Sequence, residues 1–114
     1  MSEPALVNRT AVVLLPGEKF LAWVKTCPDA DASVTLEEVQ REPVVYLFPE
    51  DDNLDDHLRR HGPRLLADEL AAWCPAEQFW PNDRSFRTFR DFFDVKVASM
   101  VFDMGEGDVV GEDR

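Results

Sequence analysis

The chain has 114 residues, 45% of them apolar, and a formal net charge of −11. That length supports one domain and leaves too little chain for a second core. The charge argues against direct binding to a nucleic-acid backbone, whose phosphates the average field repels, and against an anionic membrane surface for the same reason. A basic protein or a metal cation is instead attracted.

In chain order, MSEPALVNR carries an early acid and lacks the apolar run of a secretion signal. No stretch approaches the roughly 20 apolar residues that span a bilayer, and a cytoplasmic protein is expected. TAVVLL, residues 10–15, reads as a buried strand that Pro16-Gly17 ends. Phe20, Leu21, Val24 and Cys27 follow at helical spacing, in a helix that stops before Pro28. Thr35 and Glu38 form a capping box, with Val34 and Val39 as its hydrophobic staple, and Pro43 keeps that helix short.

PVVYLFP, residues 43–49, is continuously apolar and predicts a strand covered on both faces. EDDNLDDHLRRH opens a helix with acids, where the macrodipole favours them. Gly62 suits a helix end and Pro63 the first turn of another, which predicts two helices meeting there. Phe86, Phe89, Phe92 and Phe93 make a core-facing stripe on the next helix. VKVASMVFDM, residues 95–104, reads as the third strand. The expected fold class is α/β: a small three-stranded sheet, parallel or mixed, packed with four to five helices in the order β-α-α-β-α-α-β. Helical excursions between strands favour parallel pairing. Residues 1–104 form the expected domain and 105–114 a mobile acidic tail.

Ten acids lie between Asp29 and Asp56 against one base, Arg41. In a parallel sheet the strand C-termini share one edge, which would gather Glu18, Glu50, Asp51, Asp52 and Asp103. Such carboxylates suit Mg²⁺ or Ca²⁺, although the calcium-loop pattern is absent and no cofactor is otherwise expected. The alternative use of the acids is a surface that meets a basic protein, with Glu50, Asp51, Asp52, Asp55 and Asp56 as its core. His57 and His61 share a helix face without the HExxH pattern and read as solvent-facing. Asp56–Arg60, Arg87–Asp91 and Arg90–Asp94 have helical pair spacing. Arg84 has no such acid and is free to stack on Trp80 or to bind a carboxylate elsewhere. Cys27 and Cys74, each followed by proline, fit neither a CxxC nor a zinc pattern and read as separate reduced thiols near helix ends. No G-x-S-x-G or phosphate loop occurs.

AVVLLPGEKFLAWV, VVYLFPE and WPNDRSFRTFRDFFDVKVASMVFDM together resemble a family of short bacterial cytoplasmic proteins of unknown function. The shared features are a W-P-x-x-R segment, an aromatic helix and a V-x-D strand end. The resemblance implies a standalone bacterial domain and carries no site residue. The element order is also similar to that of the barstar family of ribonuclease inhibitors. The leading expectation is a non-enzymatic interaction or regulatory module, inhibitor-, immunity- or adaptor-like, with a divalent-metal-dependent enzyme or metal-binding protein as the alternative.

Overall fold

The computed structural model describes residues 4–112. The first three residues and the last two of the expected tail lie outside the described residues. Two strands, β1 (Ala5–Leu6) and β2 (Arg9–Pro16), precede α1 (Glu18–Val24) and the short α2 (Leu36–Val39). Next come β3 (Val44–Pro49), the long α3 (Leu54–Trp73), a 3₁₀ turn (Glu77–Phe79) and α4 (Phe86–Phe92). The chain closes with β4 (Phe93–Ala98) and β5 (Phe102–Asp103).

The sheet corrects the expected direction. Its order is β3-β2-β4, and both pairings are antiparallel. The reason lies in how far each connection carries the chain along the sheet. One helix between two strands carries the chain back along the sheet and yields a parallel pair, but α1 and α2 go out and return. The Gln40 amide donates to the Pro16 carbonyl at 2.7 Å, closing that excursion on the strand end it left. Val44 therefore starts opposite Leu14, and β3 runs against β2. The long helix α3, about 30 Å at 1.5 Å per residue, then carries the chain back along the sheet, and the short α4 leads straight into β4. β4 consequently points the same way as β3, with β2 between them.

The expected third strand is divided. From Ala11 to Leu6 the first strand takes five steps, while its partner takes four from Ala98 to Phe102. One extra residue makes a bulge, and beyond it β1 and β5 form a separate two-stranded ribbon. Val7 N–H still bonds the Val101 carbonyl at 2.7 Å.

The expected break at Gly62-Pro63 is also absent: α3 runs through both, which leaves four α-helices and one 3₁₀ turn among the described residues. An internal proline costs roughly 3 kcal/mol. Against that, Leu58, Leu65, Leu66 and Leu70 form one buried stripe on both sides of it. Breaking the helix would split that stripe. Gly62 serves packing, not termination. A Cβ there would sit 3.0 Å from Phe86 Cδ1 and 3.1 Å from Phe89 Cδ2.

The core lies between one sheet face and the helices. Val12, Leu14, Phe20, Leu66, Leu70, Phe89 and Phe93 are its fully buried members. Phe93 opens β4 instead of ending the helix, yet it stays in the aromatic cluster, 5.0 Å from Phe20 and 5.8 Å from Phe89 by ring centroid. The expectation that β3 is covered on both faces fails: Tyr46 and Phe48 face the helices, while Val45 and Leu47 remain 53% and 51% exposed. No helix among the described residues is long and apolar enough to cross a membrane. Residues 105–112 form neither helix nor strand.

Candidate functional site

The antiparallel sheet disperses the five carboxylates proposed as metal ligands. Glu18 follows β2 at one end of the sheet. Glu50, Asp51 and Asp52 follow Pro49, which pairs with Arg9 at the other end. Asp103 lies still farther out on the ribbon, opposite Ala5, and accepts from the Gly105 amide at 2.9 Å. Among the described residues no group of three or more His, Cys, Asp or Glu side chains could hold a metal ion. The five belong to three separate places.

At the start of α3, Glu50, Asp51, Asp52, Asp55 and Asp56 are all exposed and make an acidic corner. Asp51 is bound to the His57 imidazole at 3.0 Å. The hydrogen bond with His57 and then the Asn53 amide hold the Asp51 carboxyl below its usual range. Both histidine rings lie about 6 Å from the Phe48 ring, so His57 is less open than expected. The corner is charged, and none of its acids lines either of the two cavities described below.

Arg84 finds both partners the sequence offers. Its guanidinium lies 5.5 Å above the Trp80 ring and donates to Glu77 Oε1 at 2.7 Å. Trp80 Nε1 in turn donates to the Cys74 carbonyl at 2.7 Å. These groups satisfy one another and tie the 3₁₀ turn to the end of α3. Other expected ion pairs do not form. Asp91 meets Lys19 at 3.8 Å instead of Arg87. Asp94 lies in β4, outside the helix that carries Arg90, and Asp56–Arg60 is not among the ion pairs of the described residues. Asp83 bonds the Ser85 hydroxyl and amide, which lower its pKa, and so anchors the start of α4.

The concave surface lies elsewhere, around the C-terminal end of α3. A cavity of about 330 Å³ opens between the segment after α1 and the segment after α3. Val24, Cys27, Val34, Cys74 and Phe79 supply much of its wall, and Asp29, Asp31 and Glu38 supply carboxylates. A second cavity of about 430 Å³ adjoins it, lined by Val39, Arg41, Glu42, Ala72 and Glu69 among others. Glu38 and Trp73 line both, so the two hollows form one groove divided by an indole. Local chemistry explains how the walls hold. Thr35 Oγ1 caps α2 by accepting from the Glu38 amide at 3.2 Å, which fixes Glu38 at the shared rim. Trp23 Nε1 donates to the Phe79 carbonyl at 3.0 Å and joins α1 to the opposite wall. Asp31 accepts from the Ser33 hydroxyl and amide, which lower its pKa and keep it ionised.

Two features of this groove escape a linear reading. The first is Glu69, 9% exposed and facing the second cavity. Burial raises its pKa; the Tyr46 hydroxyl, donating to Oε1 at 3.4 Å, partly offsets this, and the Asp68 charge adds to the rise. A raised pKa means the folded state favours the protonated form. Glu69 therefore weakens the fold as pH rises through its folded pKa, and costs nothing below the unfolded one. Glu69→Gln should raise the melting temperature by a few degrees at pH 7 and leave it unchanged near pH 4, by thermal unfolding across that range. Helical spacing places Glu69 one turn before Trp73, but only the fold buries it.

The second is the cysteine pair. Cys27 and Cys74 are both buried, both free and both on the wall of the first cavity. The Cys27 thiol is pushed up to about 11, first by burial and then by the adjacent Cys74 sulfur, as hydrogen-bond partner and as charge. Each thiol also points at the carbonyl of its own segment, Cys27 at Trp23 (3.7 Å) and Cys74 at Ala76 (3.9 Å).

No protein-family model matches the chain, and no curated protein or solved structure matches it either. The functional reading therefore stands on the groove itself.

Proposed function

We propose that the protein is a non-enzymatic interaction or regulatory module that takes a basic segment of a protein partner into the groove around Trp73. The observation that carries this reading is the sharing of Glu38 and Trp73 by two adjoining cavities. Concave apolar walls provide burial for an anchoring side chain, and aromatic residues in such places carry most binding energy. Asp29, Asp31, Glu38 and Glu42 are exposed and make no ion pair within the described residues. They are free to steer and orient lysine or arginine side chains. Arg41, on the wall of the second cavity, is a base that a partner carboxylate would meet. The corner at Glu50–Asp56 is a weaker docking surface, because charge without apolar burial gives rate more than affinity. A bacterial, cytoplasmic setting belongs to the same proposal, supported by the family resemblance and the free thiols.

The test is partner capture at about 50 mM and about 500 mM salt, since screening at the higher value shortens the reach of charge to a few ångströms. The wild type should recover a specific basic protein at low salt and lose it at high salt. Glu38→Lys combined with Glu42→Lys should lower that recovery about tenfold or more, and Asp55→Asn with Asp56→Asn should leave most of it. Equal recovery by the wild type and the Glu38/Glu42 variant would remove the groove from the reading.

A further inference from the structure

The strongest unassigned chemistry in the molecule is the pair of thiols. Cys27 and Cys74 are far apart in sequence, yet just after α1 and at the end of α3 they stand on the wall of one cavity and belong to one buried cluster. Both belong to the buried core, at 8% and 6% exposure. Both are also reached from the cavity, which has room for a small oxidant to approach.

We propose that Cys27 and Cys74 are a redox-closable dithiol, which a low-molecular-weight disulfide such as oxidised glutathione converts into an intrachain bridge between the ends of α1 and α3. In the first step one cysteine thiolate attacks a sulfur of the reagent, forming a mixed disulfide and releasing one small thiolate. In the second the other cysteine gives up its proton to solvent, and its sulfur attacks the protein side of the mixed disulfide. The second small thiolate leaves. Two protein thiols and one reagent disulfide become one protein disulfide and two reagent thiols, so atoms and electrons balance.

The surroundings define the kind of device this is. Both sulfurs lie at helix C-terminal ends, where the dipole disfavours a thiolate. Asp29, Asp31 and Glu38 on the same cavity oppose a second negative charge. Cys27 is held in the thiol form by burial. Fast peroxide sensors have the opposite features. This pair is a slow staple, closed by prolonged oxidising conditions. Closure would pin the two segments that wall the first cavity and would cross-link a long loop, the arrangement in which a bridge restricts the unfolded chain most. The proposal does not depend on what the groove binds.

The test uses the intact wild-type protein in a glutathione buffer, from fully reduced to fully oxidised. The expected product is a monomer lighter by two hydrogens, with both thiols lost to a thiol reagent under denaturing conditions and a melting temperature higher by roughly 10 °C. Cys27→Ser and Cys74→Ser should each keep one titratable thiol or a glutathione adduct and show no such rise. Retention of both thiols at full oxidation would overturn the proposal. So would adducts or disulfide-linked dimers without internal closure. A bridge that forms but lowers the melting temperature would show that the native backbone does not hold the sulfurs in bonding geometry, and would overturn it equally.

Discussion

Replacing Phe20 by alanine should destabilise the protein by about 3–5 kcal/mol, the range for removing a fully buried aromatic ring. Phe20 has no exposed surface, and its ring meets four other aromatics, one each from α1, α3, α4 and β4. Trp23 lies at 5.5 Å, Trp73 at 6.3 Å, Phe92 at 6.0 Å and Phe93 at 5.0 Å. Removing it leaves a cavity that neighbours on three helices and a strand cannot fill without separating from their other contacts. For a chain of this size the loss corresponds to a fall of roughly 12–20 °C in melting temperature. Thermal and urea unfolding would measure it. Leu47→Ala, on the uncovered sheet face, is the control and should cost about 1 kcal/mol or less. Comparable losses from both variants would mean that Phe20 is not central to the core.

Gly62→Val should be the next most damaging change, at about 3 kcal/mol. Helix propensity taken alone favours any replacement of this glycine, by up to about 1 kcal/mol for alanine. Tertiary packing reverses the sign. A Cβ would lie 3.0–3.3 Å from carbons of the Phe86 and Phe89 rings, and Phe89 has no exposed surface into which to withdraw. Valine adds two methyl groups that have nowhere to go, so overpacking dominates. Alanine should cost less, about 1–2 kcal/mol, because the Phe86 ring is partly exposed and can shift. Denaturant titration of the two variants checks the order. If Gly62→Ala proves stabilising, α3 and α4 are packed less closely than their ring contacts state.

These two residues mark how far sequence reasoning reached. The Phe86–Phe93 stripe was legible from spacing, because a 3.6-residue period places those side chains toward one side whatever they pack against. The cap at Thr35 was legible as well, since a hydroxyl three residues before a free amide is a local arrangement. Gly62 was legible only as a helix end. Its true role depends on α4, whose residues lie more than twenty positions away. The direction of the sheet was misread for a related reason. Apolar runs and helical periods reveal that elements exist, but not that α1 and α2 together return the chain to where it began.

The candidate site divides the same way. Charge bias correctly marked Asp29–Glu42 as strongly acidic, yet it could not distinguish these residues from Glu50–Asp56. Only folding places Asp29, Asp31, Glu38 and Glu42 around the two cavities and the second group away from both. Arg84 and Trp80 were legible as partners because they lie four residues apart. Glu77, seven residues from Arg84, was not.

From the sequence alone come the acidic α/β character, the three strand cores, the short capped helix and the aromatic stripe. All of these follow from local chemistry and short-range periodicity. The tertiary structure decided the antiparallel order, the unbroken α3, the groove at Trp73 and the meeting of Cys27 with Cys74. Each of those depends on contacts between residues distant along the chain, where burial and close packing outweigh local preference. FWPNDRSFRTFRDFFD shows both halves: Phe86, Phe89 and Phe92 turn inward by periodicity, while Arg84 finds Glu77 only where the fold puts it.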